Sequence, residues 1–316
     1  MSGLFAAVLC CGVSFGCGTS TSDRDTAPQS EQIDAANSTQ TETRLQVFAS
    51  NYPLQFMTEF IGGESVSVSL PVPADIDPAF WTPEPDAIAQ MQTADLIVLN
   101  GATYEKWLSA VSLPSSIQVF TSGGFRDRFI TIEDLVTHSH GAEGEHSHAG
   151  TAFTTWIDFQ LAVEQARAIR NALAERLPEQ QEQLDANFAE LERELLALDE
   201  QLEEAIAASD RQNQPLLASH PVYEYLAQRY DLNLQSVLWE PDVVPDESEW
   251  QDLQAKLSDR PAQWMLWEGT PNPESTARLE DLGVSSVVFS PAGNVSDGGD
   301  FLAVMQTNVN ALIAIF

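Results

Sequence analysis

The chain has 316 residues, 43% of them hydrophobic, which is enough for about two domains with a packed core. It carries 14 lysine and arginine residues against 47 aspartate and glutamate residues, a formal net charge of -33. Such a surface repels phosphate backbones, so nucleic acid is excluded as a partner. The acidic surface either keeps the protein soluble or attracts cations, and charge alone leaves both interpretations open.

All three cysteines, Cys10, Cys11 and Cys17, lie in the first 17 residues. The remainder of the sequence therefore offers neither a disulfide nor a thiolate metal site. Residues 4–16 are small and apolar, which suits the apolar part of a signal peptide and is too short to span a membrane. The string SFGCG around Cys17 resembles a lipoprotein cleavage site, so we expect residues 1–17 to be a signal peptide and Cys17 a lipid anchor. An ordinary signal peptide with a chance cysteine is the alternative.

Residues 18–44 are rich in Ser, Thr, Gln, Asp and Asn and contain almost no large apolar side chain. Such a segment buries too little surface to fold and behaves as a flexible tether. A tether directly after a modifiable cysteine predicts a membrane-anchored lipoprotein at the cell surface or in the periplasm.

From residue 45 onward, short β-rich runs alternate with helical stretches, which predicts an α/β fold with two lobes, each with a mainly parallel sheet and flanking helices. The N-terminal lobe is expected over 45–158 and the C-terminal lobe over 211–316. The predicted strands are Leu45–Ala49, Val66–Leu70, Leu96–Asn100, Ile117–Phe120, Leu216–Ser219, Leu232–Leu238, Met265–Glu268 and Val284–Phe289.

Residues 159–210 read as linking helices broken at Pro178. Their second half repeats apolar residues at alternating spacings of four and three, from Leu184 to Leu202. This stripe predicts a long backbone helix packed across both lobes, and a short coiled coil is the alternative.

Four of the five histidines, His138, His140, His146 and His148, lie within the segment 138–148 of the N-terminal lobe. Neutral imidazoles bind Zn²⁺ and Cu²⁺, and a histidine-rich tract is a compositional signal for metal binding. The segment is predicted to collect metal weakly, with a solvated polar loop as the alternative.

The fifth histidine, His220, directly follows an apolar run that reads as a strand. Open α/β sheets bind ligands at the carboxyl ends of their strands, which makes His220 a candidate ligand. The sequence contains no phosphate-binding glycine loop, no serine-nucleophile motif and no HExxH, so we expect a binding protein that is not an enzyme.

Several strings resemble the zinc/manganese-binding proteins of metal ABC transporters. FASNYPLQFMTEFIGGESVSV is similar to the family's opening strand and turn, and DPAFWTPEPDAIAQMQTADLIVLNGATYEKWL (77–108) to its DPH and NG segments. SHPVYEYLAQRYDL, which contains His220, resembles the family's SHxAFxYFAxRYGL. The resemblance covers about residues 45–316 and implies a metal buried between two lobes.

The family's four ligand positions fall here on Ala79, Thr154, His220 and Ser290, so the resemblance implies a divergent member with most ligands replaced. Asp77 and Glu268 are the best replacement donors. Asp75, Glu84 and Asp158 lie in or near the matching loops as well. Oxygen donors favour Mn²⁺ or another hard ion over Zn²⁺. Trp81, Trp239 and Trp267 either pack in the core or line an aromatic cleft.

The resemblance implies the extracytoplasmic solute-binding component of an ABC-type importer, which captures Zn²⁺ or Mn²⁺ in the interlobe cleft. Its partners would be the ABC transporter permease and its ATPase, with the membrane reached through the lipid anchor and the protein a monomer. The alternatives are the same scaffold binding a metal chelate or an organic solute, or a scaffold or adhesion-like protein with an empty cleft.

Overall fold

The computed structural model describes residues 44–132, 150–295 and 299–316, together with the backbone of two short strands at 137–139 and 145–147. The signal peptide, Cys17 and the tether up to residue 43 lie outside the described residues. The segment Glu42–Phe316 forms one compact unit. No helix of the described part is both long and apolar enough to cross a membrane.

The first sheet has four parallel strands in the order β2-β1-β3-β4. They are β1 (Leu45–Ala49), β2 (Val66–Ser69), β3 (Leu96–Leu99) and β4 (Gln118–Phe120). Every residue of β3 is buried, as expected for an inner strand covered on both faces. Helices α1 (Tyr52–Gly62) and α2 (Pro85–Thr93) form the crossovers to β2 and β3.

The second sheet repeats this topology, with four parallel strands in the order β10-β9-β11-β12. Its strands are β9 (Leu216–Ala218), β10 (Leu234–Ser236), β11 (Trp264–Trp267) and β12 (Ser285–Val288). Its helices are α5 (Glu224–Tyr230), α6 (Glu247–Asp259), α7 (Pro273–Asp281) and α8 (Phe301–Ile313). Two short antiparallel pairs precede it in the chain: β5 (Thr131–Ile132) with β8 (Gly150–Thr151), and β6 (Thr137–Ser139) with β7 (Glu145–Ser147).

Helices α3 (Phe159–Arg176) and α4 (Gln181–Ala208) follow the first sheet and are separated at Pro178. The apolar stripe of α4, from Leu184 to Ile206, is buried. The helix contacts α1 and α8, which belong to the two different sheets. The stripe is therefore covered by the chain itself, which rules out the coiled-coil interpretation and agrees with the predicted backbone helix.

The two parallel sheets with flanking helices confirm the predicted α/β fold class. The predicted strands agree with the observed ones to within about two residues at each end. The division of the chain into lobes at 158 and 211 stays a prediction, because Glu42–Phe316 is one compact unit.

Candidate metal site in the cleft

The strand order creates a ligand crevice in each sheet. The first strand of each sheet lies between the second and the third, so the chain leaves to opposite sides at that point. Parallel sheets bind ligands outside the carboxyl ends of the strands at such a switch point. In the second sheet, His220 comes two residues after β9 and Glu268 directly after β11. Glu240 lies in the loop that follows β10.

These three side chains meet at one point. His220 Nδ1 lies 3.4 Å from a carboxylate oxygen of Glu240 and 3.6 Å from one of Glu268. One possible ligand atom from each residue lies within 4.8 Å of the other two, and His220 is only 4% exposed. Two donors that bind one ion tetrahedrally at metal distances of about 2.1 Å are about 3.4 Å apart. The spacing therefore fits a shared divalent cation.

The electrostatics of the cluster favour a cation as well. Burial, the charge of Glu240 and the charge of Asp77 together raise the pKa of Glu268 to about 8. Two carboxylates held this close repel each other, and each disfavours ionisation of the other. A divalent cation between the two carboxylates would cancel this repulsion and take the place of the proton on Glu268. The cluster would therefore be electrostatically more stable with a metal ion than without one.

The cluster opens into a cavity of about 520 Å³ that both sheets line. The carboxylates of Asp75, Asp77 and Asp242 share this cavity with the three clustered residues. The first half of the chain also contributes aromatic rings, namely Phe80, Tyr104, Phe153 and Trp156. The cavity is thus acidic, with one aromatic wall, and is much larger than a bare ion.

Asp77 lines the cavity from the loop that follows β2. Its Oδ1 accepts a hydrogen bond from the backbone N–H of Ala79 at 2.9 Å. Its charge helps to raise the pKa of Glu268 and that of the fully buried Tyr104, whose pKa is raised first by desolvation. Asp77 is therefore close enough to the cluster to act on it electrostatically, although it does not belong to the group of three.

The positions matching the family's lost ligands differ in their surroundings. Ala79 is fully buried in the core, whereas Thr154 and Ser290 line the cavity. The Thr154 hydroxyl donates to the carbonyl oxygen of Val222 at 2.5 Å. The Ser290 hydroxyl accepts a hydrogen bond from the backbone N–H of Ala292. The Ser290 hydroxyl thus has a partner within its own loop, whereas the Thr154 hydroxyl binds the loop that follows His220.

The other candidate donors divide into two groups. Asp75, Asp77 and Glu268 line the cavity, and their role as metal donors stays a prediction. Asp158 instead caps α3, where its side chain accepts from the N–H groups of Gln160 and Leu161. Glu84 precedes α2 and is exposed.

The aromatic-cleft interpretation of the tryptophans is wrong. Trp81 packs in a cluster with Phe48 and Trp107, and Trp239 and Trp267 pack in a cluster with Trp250. The aromatic wall of the cavity comes from other residues. Core packing, the alternative interpretation of these tryptophans, therefore holds.

The histidine-rich segment is only partly described. The backbones of His138 and His146 lie opposite each other in the β6–β7 pair. His140 and His148 lie outside the described residues, as does Cys17. Weak metal binding by this segment stays a prediction.

Glu240 was missed by sequence reasoning, although a signal for it exists. Its Trp-Glu-Pro string follows a predicted strand, as His220 does, and Glu268 is the last residue of another predicted strand. The carboxyl ends of parallel strands share one edge of the sheet, so a polar residue in each such loop is a candidate for the same site.

Two four-stranded parallel sheets and an acidic, histidine-containing cleft are the arrangement that the sequence resemblance implied. The chain belongs to the ZnuA family: the profile described as zinc-uptake complex component A, periplasmic, matches residues 47–315. The predicted resemblance is thereby confirmed.

Named relatives support the same assignment. The zinc-binding lipoprotein AdcA of Streptococcus pneumoniae is 23% identical over 291 residues, which cover 89% of this chain and 57% of AdcA. The high-affinity zinc uptake system protein ZnuA of Bacillus subtilis is 24% identical over 286 residues, 85% of this chain and 86% of the relative. The chain thus spans a little over half the length of AdcA and most of that of the Bacillus protein.

Solved structures of low sequence identity share the fold. Zn(II)-bound AdcA from Streptococcus pneumoniae superposes with a TM-score of 0.71 at 20% identity, covering 86% of this chain and 57% of that chain. FpvC from Pseudomonas aeruginosa, in complex with Mn²⁺, gives a TM-score of 0.68 at 17% identity, covering 86% of this chain and 98% of that chain.

Proposed function

We propose that this protein is the extracytoplasmic receptor of an ABC-type metal importer and that it captures one divalent cation with His220, Glu240 and Glu268. The observation that carries the proposal is the spacing of the three donors, 3.4 and 3.6 Å from the histidine nitrogen to the two carboxylates. Membership of the ZnuA family and the names of its zinc-binding relatives support the transport role.

The donor set favours Zn²⁺ or Mn²⁺. One imidazole and two carboxylates suit zinc at three positions of a tetrahedron, and an additional oxygen donor shifts the site towards a harder ion. Asp77 is the donor that we propose for the open position, because it lines the same cavity. Compared with a site of three histidines, this donor set should bind Zn²⁺ and Mn²⁺ with more similar affinities.

The remaining parts of the proposal follow from the transport role. The permease and its ATPase are the partners, Cys17 anchors the protein to the membrane, and the protein acts as a monomer. The protein binds and releases its cargo without catalysing a reaction. The alternatives of an organic solute or an empty cleft are not favoured, since the cavity retains a group of metal-type donors.

Metal titration of matched variants tests the proposal. The four histidines of segment 138–148 are first replaced by serine, so that only the cleft is measured. Calorimetry with Zn²⁺ and Mn²⁺ should then give one ion per protein. His220→Ala and Glu268→Gln should each weaken binding by about tenfold or more, because each removes a ligand.

The control variant is Glu280→Gln, which removes an exposed carboxylate from α7. It should leave the affinity unchanged and so exclude an effect of net charge alone. Cleft binding that survives His220→Ala at full strength would overturn the proposed site.

A further inference from the structure

Asn294 links two loops that come from different sheets. Its side-chain N–H₂ group donates to the carbonyl oxygens of Pro73 at 2.7 Å and Ile76 at 2.8 Å. Its own oxygen accepts from the backbone N–H of Val295 at 2.8 Å. A side-chain amide has two N–H protons, so both are used on the loop that follows β2.

We propose that Asn294 is a positioning residue that holds Asp77 over the metal site. This inference rests on the proposed function, because it assigns the first half of the chain its contribution to that site. Asn294 itself lines the cavity, but it acts through the loop that it binds.

The loop leaves Asp77 little freedom once Asn294 is bound. The N–H of Ile76 donates to the carbonyl of Pro73 at 3.1 Å, which closes a turn whose two carbonyl oxygens are the ones that Asn294 binds. Asp77 is the next residue in the chain, and its Oδ1 accepts from Ala79 at the other end. The position of its carboxylate is therefore fixed from both sides.

The loop that carries Asn294 has anchors of its own. The Gly293 carbonyl accepts from the backbone N–H of Tyr52 at 2.9 Å, and the Pro291 carbonyl accepts from Trp156 Nε1 at 2.7 Å. Loss of the Asn294 side chain therefore leaves the turn at 291–293 in place and releases the loop at 73–76. Removing the Asn294 side chain should therefore loosen mainly the loop that holds Asp77.

A double-mutant cycle in metal binding tests the inference. Asn294→Ala should weaken binding of Zn²⁺ or Mn²⁺ by about tenfold, the usual effect of losing a group that orients a ligand. In the Asp77→Asn background, the same replacement should change affinity less than about twofold, because the residue that it positions is already disabled. An equal loss in both backgrounds would overturn the positioning role.

Asn233→Ala is the matched control. Asn233 also donates from its side-chain amide to a backbone carbonyl, that of Asn213 at 3.0 Å, but within the second half of the chain. It should leave metal affinity unchanged.

A measurement without metal separates this inference from the proposed function. Amide hydrogen exchange across 73–77 should become faster in Asn294→Ala and not in Asn233→Ala; unchanged exchange there would overturn the inference. If His220→Ala leaves metal binding intact, the proposed function fails whatever the exchange shows. If His220→Ala abolishes binding and Asn294→Ala does not affect it, the positioning role alone fails.

Discussion

Asp199 joins three helices, and its removal should cost more stability than any exposed ion pair in the described chain. It lies on α4, is 4% exposed, and accepts four hydrogen bonds. Its partners are Arg229 Nε at 2.9 Å, an Arg229 terminal nitrogen at 2.6 Å, the Tyr230 hydroxyl at 2.8 Å and Gln160 Nε2 at 3.1 Å. The carboxylate thus connects α3 and α4 to the end of α5, the helix that follows His220.

The expected cost of Asp199→Ala follows from the partners that it leaves behind. Removing one member of a buried ion pair costs about 3–5 kcal/mol, because the other charge stays buried without compensation. In this variant, Arg229 keeps its ion pair with Glu203 at 2.8 Å. The Glu203 side chain is exposed, so this ion pair contributes little to stability. We therefore expect a loss of about 3 kcal/mol, which for a chain of this size lowers Tm by about 5 °C.

Thermal and urea unfolding of purified variants measure this difference. Glu203→Ala is the control, because it removes only the exposed half of the arrangement and should cost less than about 1 kcal/mol. Tyr230→Phe, which removes one hydroxyl from Asp199, should lie between the two, at about 1 kcal/mol. A loss for Asp199→Ala no larger than that for Glu203→Ala would refute the reasoning.

Three further perturbations test other parts of the fold. Burial raises the pKa of Glu224 from 4.5 to about 7, so the folded state retains a proton that the unfolded chain loses, and stability falls as pH rises through this window. Glu224→Gln should therefore raise stability by about 1–3 kcal/mol at pH 8 and have little effect near pH 4.5, and an equal change in Tm at both pH values would contradict this. Gly101 has a φ of +80°, and a Cβ at this position would lie 2.5 Å from Ser122 Oγ. Gly101→Ala should therefore destabilise the protein by about 1–3 kcal/mol in urea unfolding. Gly123→Ala is the control and should have no such effect, because the space around Gly123 is open. Ala79→His should lower Tm without adding a metal ligand, because Ala79 is fully buried. A larger side chain there overpacks the core, at a cost of about 1–3 kcal/mol. Tighter zinc binding at an unchanged Tm would contradict this prediction.

The fold was largely predictable because the strands of parallel sheets are continuous apolar runs separated by helices. The errors lie at the ends of elements. Helix α1 begins at Tyr52, ahead of its apolar stretch, because the Asn51 side chain caps it and Pro53 lies in its first turn. Strand β10 was predicted over Leu232–Leu238, whereas only Leu234–Ser236 pairs with β9. Apolar residues in the turns beside this strand also reach the core. The pattern of apolar residues in the sequence does not distinguish them from residues that pair within the strand.

The site was harder to predict, because its members are brought together by strand order and not by spacing in the sequence. His220, Glu240 and Glu268 are 20 and 28 residues apart along the chain, and only the second sheet places their loops side by side. The resemblance located His220, and the matching loops suggested Glu268. Ala79, by contrast, occupies a matching position in sequence and is fully buried in the core.

The two sheets have the same topology, yet only one of their crevices is available for a metal. At the switch point of the first sheet, Ser50 follows β1 and Asn100 follows β3. The buried Glu105 carboxylate accepts from the Ser50 hydroxyl at 2.6 Å, from the Asn100 N–H at 2.6 Å and from the Gly101 N–H at 3.1 Å. These bonds fill the crevice with the protein's own donors. In the second sheet, Glu268 stands at the position equivalent to Asn100, and His220 stands one residue beyond the equivalent of Ser50; both line the cavity. The donors of the proposed metal site therefore come mainly from the second half of the chain, and the contribution proposed for the first half is the loop that carries Asp77.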